Sequence, residues 1–310
     1  MTHTAKTTAP RRFALGYGAC ALAGCLWGTG FFFGKIALAE MGVAHMVLYR
    51  FLFACAVLVP LLWRNPARFT GAEWRVLLLA SLLGVPVQFL VQFYGLSLTT
   101  VSHAALMVGT MPVLLAVAAS LFERERLDAV GWVALVGSTA GLALIVLGGT
   151  PAIPDGRGPS VAGDLLVVLS LIIALGWILL NMRLMQRHPP VVVTAYGLVS
   201  GAAMLAVIVL ATHGTPPVLG VSGRVWLALA ASGILCTAST TLLWNWGIHR
   251  VPASRAGVFL NLEPAVGAML GVQLLGDRLG QFAWMGGGLI VAAAIALTTR
   301  GHAEVASILE

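Results

Sequence analysis

WRVLLLASLLGVPVQFLVQFYGLSL, residues 74–98, is an apolar stretch with one charged residue, Arg75, near its start. About 20 apolar residues span a bilayer as an α-helix, so this stretch predicts a transmembrane helix. It returns in altered form at residues 226–250, as WLALAASGILCTASTTLLWNWGIHR. The fold follows from these two properties, a membrane-spanning length and a second copy further along the chain.

The two copies align without a gap when Trp74–Trp132 is placed on Trp226–Trp284, an offset of 152 residues. Twelve of the 59 aligned positions are identical. The identities include tryptophan, proline and arginine positions, which chance produces less readily than leucine: Trp74/Trp226, Gly95/Gly247, Ser102/Ser254, Ala104/Ala256, Pro112/Pro264, Ala116/Ala268, Arg126/Arg278, Leu127/Leu279 and Trp132/Trp284. Similarity over this length indicates an internal duplication.

The whole chain has the composition of an integral membrane protein. Of its 310 residues, 59% are hydrophobic and 9% are charged, and the mean hydropathy is +0.95. Soluble domains carry about 25% charged residues, so a soluble globular protein, a disordered chain and a disulfide-stapled fold are excluded. The four cysteines lie in apolar runs without a C-x-x-C pair, and no metal or other cofactor is expected.

Apolar runs bounded by proline, glycine and charged residues predict an all-α integral membrane fold with ten transmembrane helices. The predicted spans are residues 13–39, 44–63, 74–98, 101–121, 129–148, 162–184, 191–212, 225–247, 253–275 and 281–299. The predicted organisation is a cytoplasmic tail (1–12), a first five-helix repeat (13–148), an extracytoplasmic linker (149–161), a second, inverted repeat (162–299) and a cytoplasmic tail (300–310).

Basic residues lie mainly on one side of the predicted bundle. Thirteen Lys and Arg residues fall in the tails and loops of that side, and three fall in the loops of the other side. Cytoplasmic loops are enriched in Lys and Arg, so both termini are predicted to be cytoplasmic, in a bacterial-type inner membrane. The same bias accounts for the net charge of +7 without a nucleic-acid partner.

An odd number of helices in each copy places the second copy upside down in the membrane. The loop charges agree, because the loop into the third span carries Arg64, Arg68 and Arg75, whereas its counterpart carries only Arg224. Inverted repeats are typical of secondary transporters that bind substrate near the midplane and work by alternating access. A structural membrane protein built by duplication is the alternative.

A stripe of small and polar residues on the third span indicates a candidate substrate site. Residues at intervals of three or four share one helix face: Ser81, Gly84, Gln88, Gln92 and Gly95. The equivalent face of the second copy carries Gly233, Cys236, Thr240, Trp244 and Gly247. From these faces Gln88, Gln92, Thr240 and Trp244 are predicted to bind substrate. Small and amide side chains also join membrane helices, so packing is the alternative.

Other spans add Tyr94, Trp177, Asn181 and Glu263 to the predicted site. The aromatic residues either contact a hydrophobic or aromatic substrate or pack within the bundle. Glu263 lies near the middle of the ninth span, where a carboxylate costs about 2.5–3.5 kcal/mol. It therefore binds a substrate ammonium, carries a coupling proton, holds the bent backbone around Pro264, or pairs with a cation of the protein.

Pro112 and Pro264 occupy equivalent positions in the fourth and ninth spans. Proline removes a helix hydrogen bond and kinks the helix, so the pair is predicted to form gating hinges, with static bends as the alternative. Lys35 and Arg50 are expected to snorkel toward the headgroups or to guard the outer mouth. His103, at the start of the fourth span, is expected to be an interface residue, with a proton relay as the alternative.

Short motifs occur in a fixed order along both copies. They are Trp27-Gly28, Tyr49-Arg50-Phe51, Tyr94-Gly95-Leu96 and Met111-Pro112-Val113, then Trp246-Gly247-Ile248, Ala253-Ser254-Arg255-Ala256 and Asn261-Leu262-Glu263-Pro264. In this order the chain resembles the drug/metabolite transporter superfamily, in its ten-helix form with two EamA-type repeats. The resemblance implies export of small metabolites, with bacterial amino-acid exporters prominent. A facilitator, or an exporter of cationic drugs or sugar phosphates, is the alternative.

No enzymatic chemistry is expected from the sequence. Residues 28–36, GTGFFFGKI, lack the spacing and the hydroxyl residue of a phosphate-binding loop. No H-E-x-x-H motif occurs, and the predicted spans hold no paired carboxylates or nucleophile–base set. The expected partners are a small-molecule substrate and membrane lipid, with the chain as a monomer and a dimer left open.

Overall fold

The computed structural model describes residues 8–114, 117, 129–147, 159–216, 220–248, 250 and 257–300. These residues form helices and connecting turns, and no strand occurs among them. The α-helices are α1 (Thr8–Gly28), α2 (Gly30–Leu38), α3 (Val43–Arg64), α4 (Gly71–Leu82), α5 (Gln88–Leu98), α6 (Val101–Val108), α7 (Ala129–Leu147), α8 (Val161–Met185), α9 (Pro190–His213), α10 (Gly223–Gly233), α11 (Thr240–Ile248), α12 (Leu262–Leu274) and α13 (Gln281–Arg300). Two π-helical turns, Leu83–Val87 and Ile234–Ser239, and a 3-10 helix, Gly257–Asn261, lie between them.

Seven helical stretches in the described ranges are long and apolar enough to cross a membrane. They are Ala14–Leu38, Val43–Arg64, Gly71–Leu98, Ala129–Leu147, Val161–Met185, Pro190–His213 and Gly223–Gly247, with shorter apolar helices at Val101–Leu114 and Gln281–Ala296. The seven agree with predicted spans to within three residues at each end, and the protein is a multi-pass, all-helical membrane protein. The total of ten spans and the inversion stay predictions.

Parts of the predicted organisation fall outside the described residues. These parts are most of the linker 149–161 and most of the two tails, 1–12 and 300–310. The basic residues Arg124, Arg126 and Arg255, which contributed to the predicted orientation, also lie outside the described ranges.

Side-chain caps define where several helices begin. At the start of α4, the Thr70 N–H donates to Glu73 Oε2 (2.8 Å) and the Glu73 N–H donates to Thr70 Oγ1 (3.3 Å). Ser160 and Ser222 accept a hydrogen bond from a first-turn N–H of α8 and α10. Each cap satisfies a backbone donor that lacks a partner within its helix.

Helices from the two halves of the chain pack against one another. α1 lies against α11 and α12, α3 against α9 and α10, α5 against α8, α6 against α12, and α7 against α13. The α7–α13 contact is close because a β-carbon on Gly141 would lie 2.6 Å from the Gly286 carbonyl oxygen. Gly137 faces Ala293 in that contact, and Gly267 faces Ala105 of α6. These glycines of α7 and α12 therefore allow close packing between helices within the chain.

The bundle is apolar outside as well as inside. Phe51, Phe93 and other large apolar side chains are fully buried, whereas Leu147 and Leu227 are 77% and 74% exposed. Such a surface is unfavourable in water and stable against hydrocarbon. The exposed side chains therefore face lipid, and the polar groups must gather inside the bundle.

Candidate functional site

The first membrane span is broken at Thr29, between α1 and α2. The Thr29 hydroxyl donates to the Leu26 carbonyl (2.7 Å) and its oxygen lies 3.0 Å from Cys236 Sγ. A β-carbon on Gly28 would lie 2.6 Å from the Glu263 carbonyl oxygen, so glycine allows the break to approach the ninth span. Broken helices are tolerated in a membrane where neighbouring groups satisfy the freed backbone.

The two π-helical turns lie at equivalent positions of the duplicated segment. The Gln88 N–H donates to the Leu83 carbonyl, and the Thr240 N–H donates to the Leu235 carbonyl. Each bond closes a turn of five residues instead of four, and residues 88 and 240 are 152 positions apart. π-turns inside α-helices are frequent at functional sites. The first of them also contains Pro86, which has no N–H to donate.

The fourth span is interrupted, and the described part of the ninth span begins as a 3-10 helix, where the sequence predicts kinked helices. α6 ends at a turn through Gly109–Thr110, and the 3-10 helix Gly257–Asn261 precedes α12. Pro112 and Pro264 follow in the first turn of the helical stretch that continues each span. First-turn N–H groups have no helical partner, so proline is tolerated there. The two prolines therefore begin helices and do not bend continuous ones.

Four of the irregular segments lie close to one another. Thr29 meets Cys236 of the second π-turn, a β-carbon on Gly24 would clash with the Phe259 carbonyl oxygen of the 3-10 helix, and one on Gly109 would lie 3.4 Å from Pro264 Cγ. The first π-turn, Leu83–Val87, is linked to them through Arg50, which bonds Thr237 and lies over the ring of Phe89. We call this polar region the centre; it comprises Thr29, Leu83–Val87, Gly109–Thr110, Ile234–Ser239 and Gly257–Asn261, with the side chains that reach them.

The predicted polar faces of the third and eighth spans are buried next to the π-turns. Gln88, Gln92 and Thr240 are each at most 8% exposed. The Thr240 hydroxyl donates to the Thr237 carbonyl (3.2 Å), whereas Gln88 Oε1 has no hydrogen-bond partner. The structure therefore brings three of the predicted site residues to the centre.

The remaining aromatic and amide candidates lie on neighbouring helices. The Trp177 ring covers Gly84 of the first π-turn, where a β-carbon would lie 2.6 Å from the indole nitrogen. Asn181, one turn further along α8, is buried. Trp244 packs against Trp27 with the ring centroids 5.5 Å apart. These contacts place aromatic faces beside the buried polar groups.

Tyr94 is the predicted site residue that the structure separates from the others. Its side chain is 55% exposed, whereas Gln92 is 8% exposed. Two steps along an α-helix rotate the side-chain direction by about 200°, so Tyr94 leaves the helix opposite the buried face. The prediction that Tyr94 contacts substrate together with Gln88 and Gln92 is therefore corrected, because Tyr94 lies on the opposite face of the helix.

Arg50 is buried at the centre, and the prediction that it snorkels to the headgroups is wrong. Its side chain is 4% exposed, and its Nε donates to Thr237 Oγ1 (2.9 Å) in the second π-turn. The guanidinium carbon lies 4.9 Å from the Phe89 ring centroid and 5.2 Å from that of Phe93, which is cation–π geometry. The available signal was a lone arginine inside an apolar span, which marks a functional site by default.

Glu263 lies in the first turn of α12 and is half-buried. Its charge and that of Arg50 attract one another, yet among the described residues no ion pair within 4.0 Å joins them. Asn261, two residues earlier, is buried and both of its amide atoms lack a hydrogen-bond partner. The centre therefore holds opposite charges and several polar atoms without protein partners.

A second buried polar group, the outer cluster, consists of Lys35, Thr99, Ser102, His103, Asp164 and Asp277. The predicted topology places it at the extracytoplasmic end. Asp164 accepts a hydrogen bond from the Thr99 hydroxyl, and its other carboxylate oxygen lies 3.1 Å from His103 Nδ1. Asp277 accepts from the Ser102 N–H (2.8 Å) and hydroxyl (2.9 Å). The cluster thereby ties α5, α6, α8 and the turn after α12 together.

The outer cluster corrects two expectations from the sequence. Lys35 donates to the carbonyls of Leu96 (2.8 Å) and Thr99 (2.6 Å) at the end of α5, so its ammonium does not reach the headgroups. His103 is 2% exposed and pairs with Asp164, so it is not an interface residue. Sequence reasoning missed the cluster because Asp164 lies close to the end of a predicted span and its partners, Thr99 and His103, are more than 60 residues away along the chain.

A contact outside the spans also joins the two halves. The Glu40 carboxylate accepts hydrogen bonds from the Ser222 hydroxyl (2.6 Å) and N–H (2.7 Å). These hydrogen bonds lower the pKa of Glu40 from its ordinary value, and the nearby charge of Arg224 acts in the same direction. Both loops were predicted on the extracytoplasmic side, and their contact agrees with that arrangement.

The described side chains suit binding of a small molecule by hydrogen bonds, charge and aromatic contact. Within the described ranges, no three His, Cys, Asp or Glu side chains are arranged to hold a metal ion, and the four cysteines are free thiols. The centre has donors, acceptors, two opposite charges and indole faces within a lipid-exposed bundle. These are the groups that fix the orientation of a bound solute.

Known proteins resemble this chain over most of its length. An uncharacterized transporter of Archaeoglobus fulgidus is 26% identical over 284 residues, which is 91% of this chain and 96% of the relative. The uncharacterized transporter YyaM of Bacillus subtilis is 25% identical, covering 77% and 79% of the two chains. The inner membrane protein YtfF of Escherichia coli is 23% identical, covering 80% and 84%.

The fold and the family are also recognised. A solved crystal structure superposes with a TM-score of 0.63 at 20% sequence identity, covering 98% of this chain and all of the other, which shows a shared fold. The model of the EamA-like transporter family matches residues 14–147 and again residues 161–299. Because these two matches cover most of the chain, the protein belongs to the EamA-like transporter family and is a membrane transporter.

Proposed function

We propose that the protein is a secondary transporter that exports amino acids or related small metabolites across the inner membrane by alternating access. Ten helices would form two inverted five-helix repeats, residues 13–148 and 162–299, with both termini in the cytoplasm. The chain would act as a monomer in the bilayer, without a cofactor and without enzymatic activity.

The observation that carries this proposal is the pair of π-turns at equivalent positions of the third and eighth spans. A π-turn is rare and replaces the tighter hydrogen bonds of an α-helix. Two of them, 152 residues apart, the second in contact with the broken first span, favour helices that rearrange around a midplane site. Discontinuous helices at such a site are typical of secondary transporters built from repeats.

Other observations support the topology within this proposal. The family model matches the two halves separately, at residues 14–147 and 161–299, close to the predicted repeats. The bias of 13 to 3 basic residues favours cytoplasmic termini. A relative named as an inner membrane protein supports the same membrane for this chain.

The described side chains divide between binding and movement in this proposal. Substrate would contact Gln88, Gln92, Trp177, Asn181, Thr240, Trp244 and Glu263. Pro112 and Pro264, each next to an interruption, would be the hinges, because the backbone there lacks regular helix hydrogen bonds. The outer cluster would close the extracytoplasmic end in the conformation described here.

Counterflow in proteoliposomes tests the proposed function. Vesicles loaded with an unlabelled solute are diluted into the labelled solute, with and without a pH gradient, for amino acids, glucose 6-phosphate and tetraphenylphosphonium. A carrier gives saturable uptake that the internal solute stimulates, since its site is exposed to one side at a time. Uptake that is linear in concentration and insensitive to internal solute would identify a channel and contradict alternating access.

A further inference from the structure

The centre holds an arginine and a carboxylate near the same break in the first span, and they do not form an ion pair. Arg50 comes from the first half of the chain and Glu263 from the second; a β-carbon on Gly30 would lie 3.7 Å from Arg50 Nη2, and one on Gly28 would lie 2.6 Å from the Glu263 carbonyl oxygen. No ion pair within 4.0 Å joins them in the part of the chain that the structure describes. The separation leaves both charges available to a third group.

Among the described residues, the terminal atoms of both side chains have no hydrogen-bond partner. Arg50 uses Nε for Thr237, and no described residue accepts a hydrogen bond from its Nη1 or Nη2. Gly30 lies beside the guanidinium, where a β-carbon would make ordinary van der Waals contact with Nη2 (3.7 Å) and Nη1 (3.8 Å). No described donor reaches the Glu263 carboxylate either. Two ends of opposite charge are thus left unsaturated.

Near each charged residue along the chain, a buried amide has an atom without a hydrogen-bond partner among the described residues. Gln88 precedes Phe89, whose ring lies under Arg50, and its Oε1 has no such partner. Asn261, two residues before Glu263, has none at Oδ1 or Nδ2, and both residues are more than nine-tenths buried. Buried polar groups are normally hydrogen-bonded, so these two amides favour a ligand that supplies the missing partners.

A free α-amino acid has the complementary chemistry. Its carboxylate accepts two parallel hydrogen bonds from the planar Nη1/Nη2 edge of an arginine, and its ammonium donates to a carboxylate. We propose that Arg50 and Glu263 form a zwitterion site, in which Arg50 binds the α-carboxylate and Glu263 binds the α-ammonium of an amino acid. The proposal rests on the proposed transport function and narrows its substrate class.

The site discriminates against the other substrate classes that the sequence leaves open. An amine or a cationic drug presents no carboxylate to Arg50 and is repelled by its charge. A sugar phosphate presents no cation to Glu263 and is repelled by its carboxylate. A site built to satisfy buried polar groups rejects ligands that leave those groups unpaired.

The first arm of the test uses the intact protein. Counterflow is measured for each of the twenty L-amino acids, and the best substrate is compared with its decarboxylated amine and its deaminated acid. For leucine these analogues are 3-methylbutylamine and 4-methylpentanoate. We expect saturable exchange of the amino acid and at most about a tenth of that rate for either analogue.

The second arm changes the two charges. Arg50→Gln and Glu263→Gln should each lower kcat/KM for the amino acid by at least about tenfold. Arg50→Gln should raise the exchange rate of the amine analogue relative to that of the amino acid. Glu263→Gln should raise the relative exchange rate of the acid analogue. Arg50→Lys keeps the charge but lacks the forked donors, so its kcat/KM for the amino acid should lie between those of wild type and Arg50→Gln. Arg187→Gln, at a 76% exposed arginine, is the matched control and should behave as wild type.

The outcomes separate this inference from the proposed function. The zwitterion site is overturned, while the transport function stands, if the analogues exchange as fast as the amino acid. The same conclusion follows if the variants exchange the amino acid at the wild-type rate. Exchange of glucose 6-phosphate or tetraphenylphosphonium alone does the same. An absence of saturable exchange for every solute contradicts the proposed function itself. Elution as a single detergent-solubilised species establishes folding; Arg50→Lys serves if Arg50→Gln does not fold, and Glu263→Asp serves if Glu263→Gln does not.

Discussion

The centre and the outer cluster are both buried groups of charged and polar residues, and they differ in how far their hydrogen bonds are satisfied. In the outer cluster, Asp164, Asp277 and Lys35 each make two hydrogen bonds to the protein, and His103 Nε2 is the buried atom of the cluster without a partner among the described residues. At the centre, Arg50 uses one nitrogen and Glu263 has no described donor. Satisfied networks hold helices in place, whereas unsatisfied ones pay a desolvation cost for which a ligand compensates.

The largest expected effect is loss of stability when the outer cluster is broken. Asp164→Ala leaves the Thr99 hydroxyl and the His103 ring without their shared acceptor in a buried site. We expect the free energy of unfolding to fall by about 3 kcal/mol, measured from thermal and denaturant unfolding in detergent. Ser97→Ala, at an exposed hydroxyl nearby, is the control and should change little. An unchanged stability would show that this cluster does not hold the helices together.

The opposite pattern is expected at the centre. Glu263→Gln should reduce the transport rate by about tenfold, which corresponds to about 1.4 kcal/mol, without lowering the unfolding temperature. The reason is that glutamine removes an unpaired charge from bilayer depth while keeping the side-chain volume. Counterflow and thermal unfolding of the same preparation test both halves of the statement. Normal transport with an unaltered pH dependence would exclude Glu263 as substrate ligand and as proton carrier.

A smaller effect is expected at the hinges. Pro264→Ala or Pro112→Ala supplies an N–H that can bond the carbonyl four residues earlier, which favours a continuous helix across the interruption. We expect kcat to fall severalfold while KM stays near wild type, because movement and not binding is affected. Pro60→Ala, at an exposed proline inside α3, is the matched control. Equal behaviour of all three variants would contradict the hinge role.

The smallest effect is a pH dependence at the Glu40–Ser222 contact. The hydrogen bonds from Ser222 lower the pKa of Glu40 below its ordinary value of 4.5, so the carboxylate is favoured in the folded state. Its stabilisation is present above that ordinary value and is lost as the pH falls through the lowered folded value. The unfolding temperature of wild type should therefore drop more than that of Glu40→Gln between pH 6 and pH 3. If the unfolding temperatures of wild type and Glu40→Gln fell equally with pH, Glu40 would not be the cause of the pH dependence.

The sequence predicted what depends on apolar length and periodicity. The seven long helices lie within three residues of predicted spans, and Gln88, Gln92 and Thr240 are buried because residues three or four apart share a face. Hydrophobicity sets the depth of a residue in the membrane and not the direction of its side chain. For that reason Arg50 and Lys35 were expected at the headgroups, although both point into the bundle.

Other parts of the site could not be predicted from local sequence. A π-turn has no strong residue preference, and the six residues of the second one are ordinary helix or strand formers. The His103–Asp164 pair joins residues 61 positions apart, so it depends on how α6 and α8 pack. The break at Thr29 had a local signal, because glycines flank it at positions 28 and 30. In the sequence these glycines were compared only with a phosphate-binding loop.

The matched π-turns also bear on the history of the chain. A π-turn is equivalent to one residue inserted into an α-helix, and both segments that match the family model have it at the same aligned position. The simplest account is that the insertion is older than the duplication. A single-copy ancestor would then already have carried the irregular third helix. Two such chains would have assembled as a dimer to form the interior that one polypeptide now encloses.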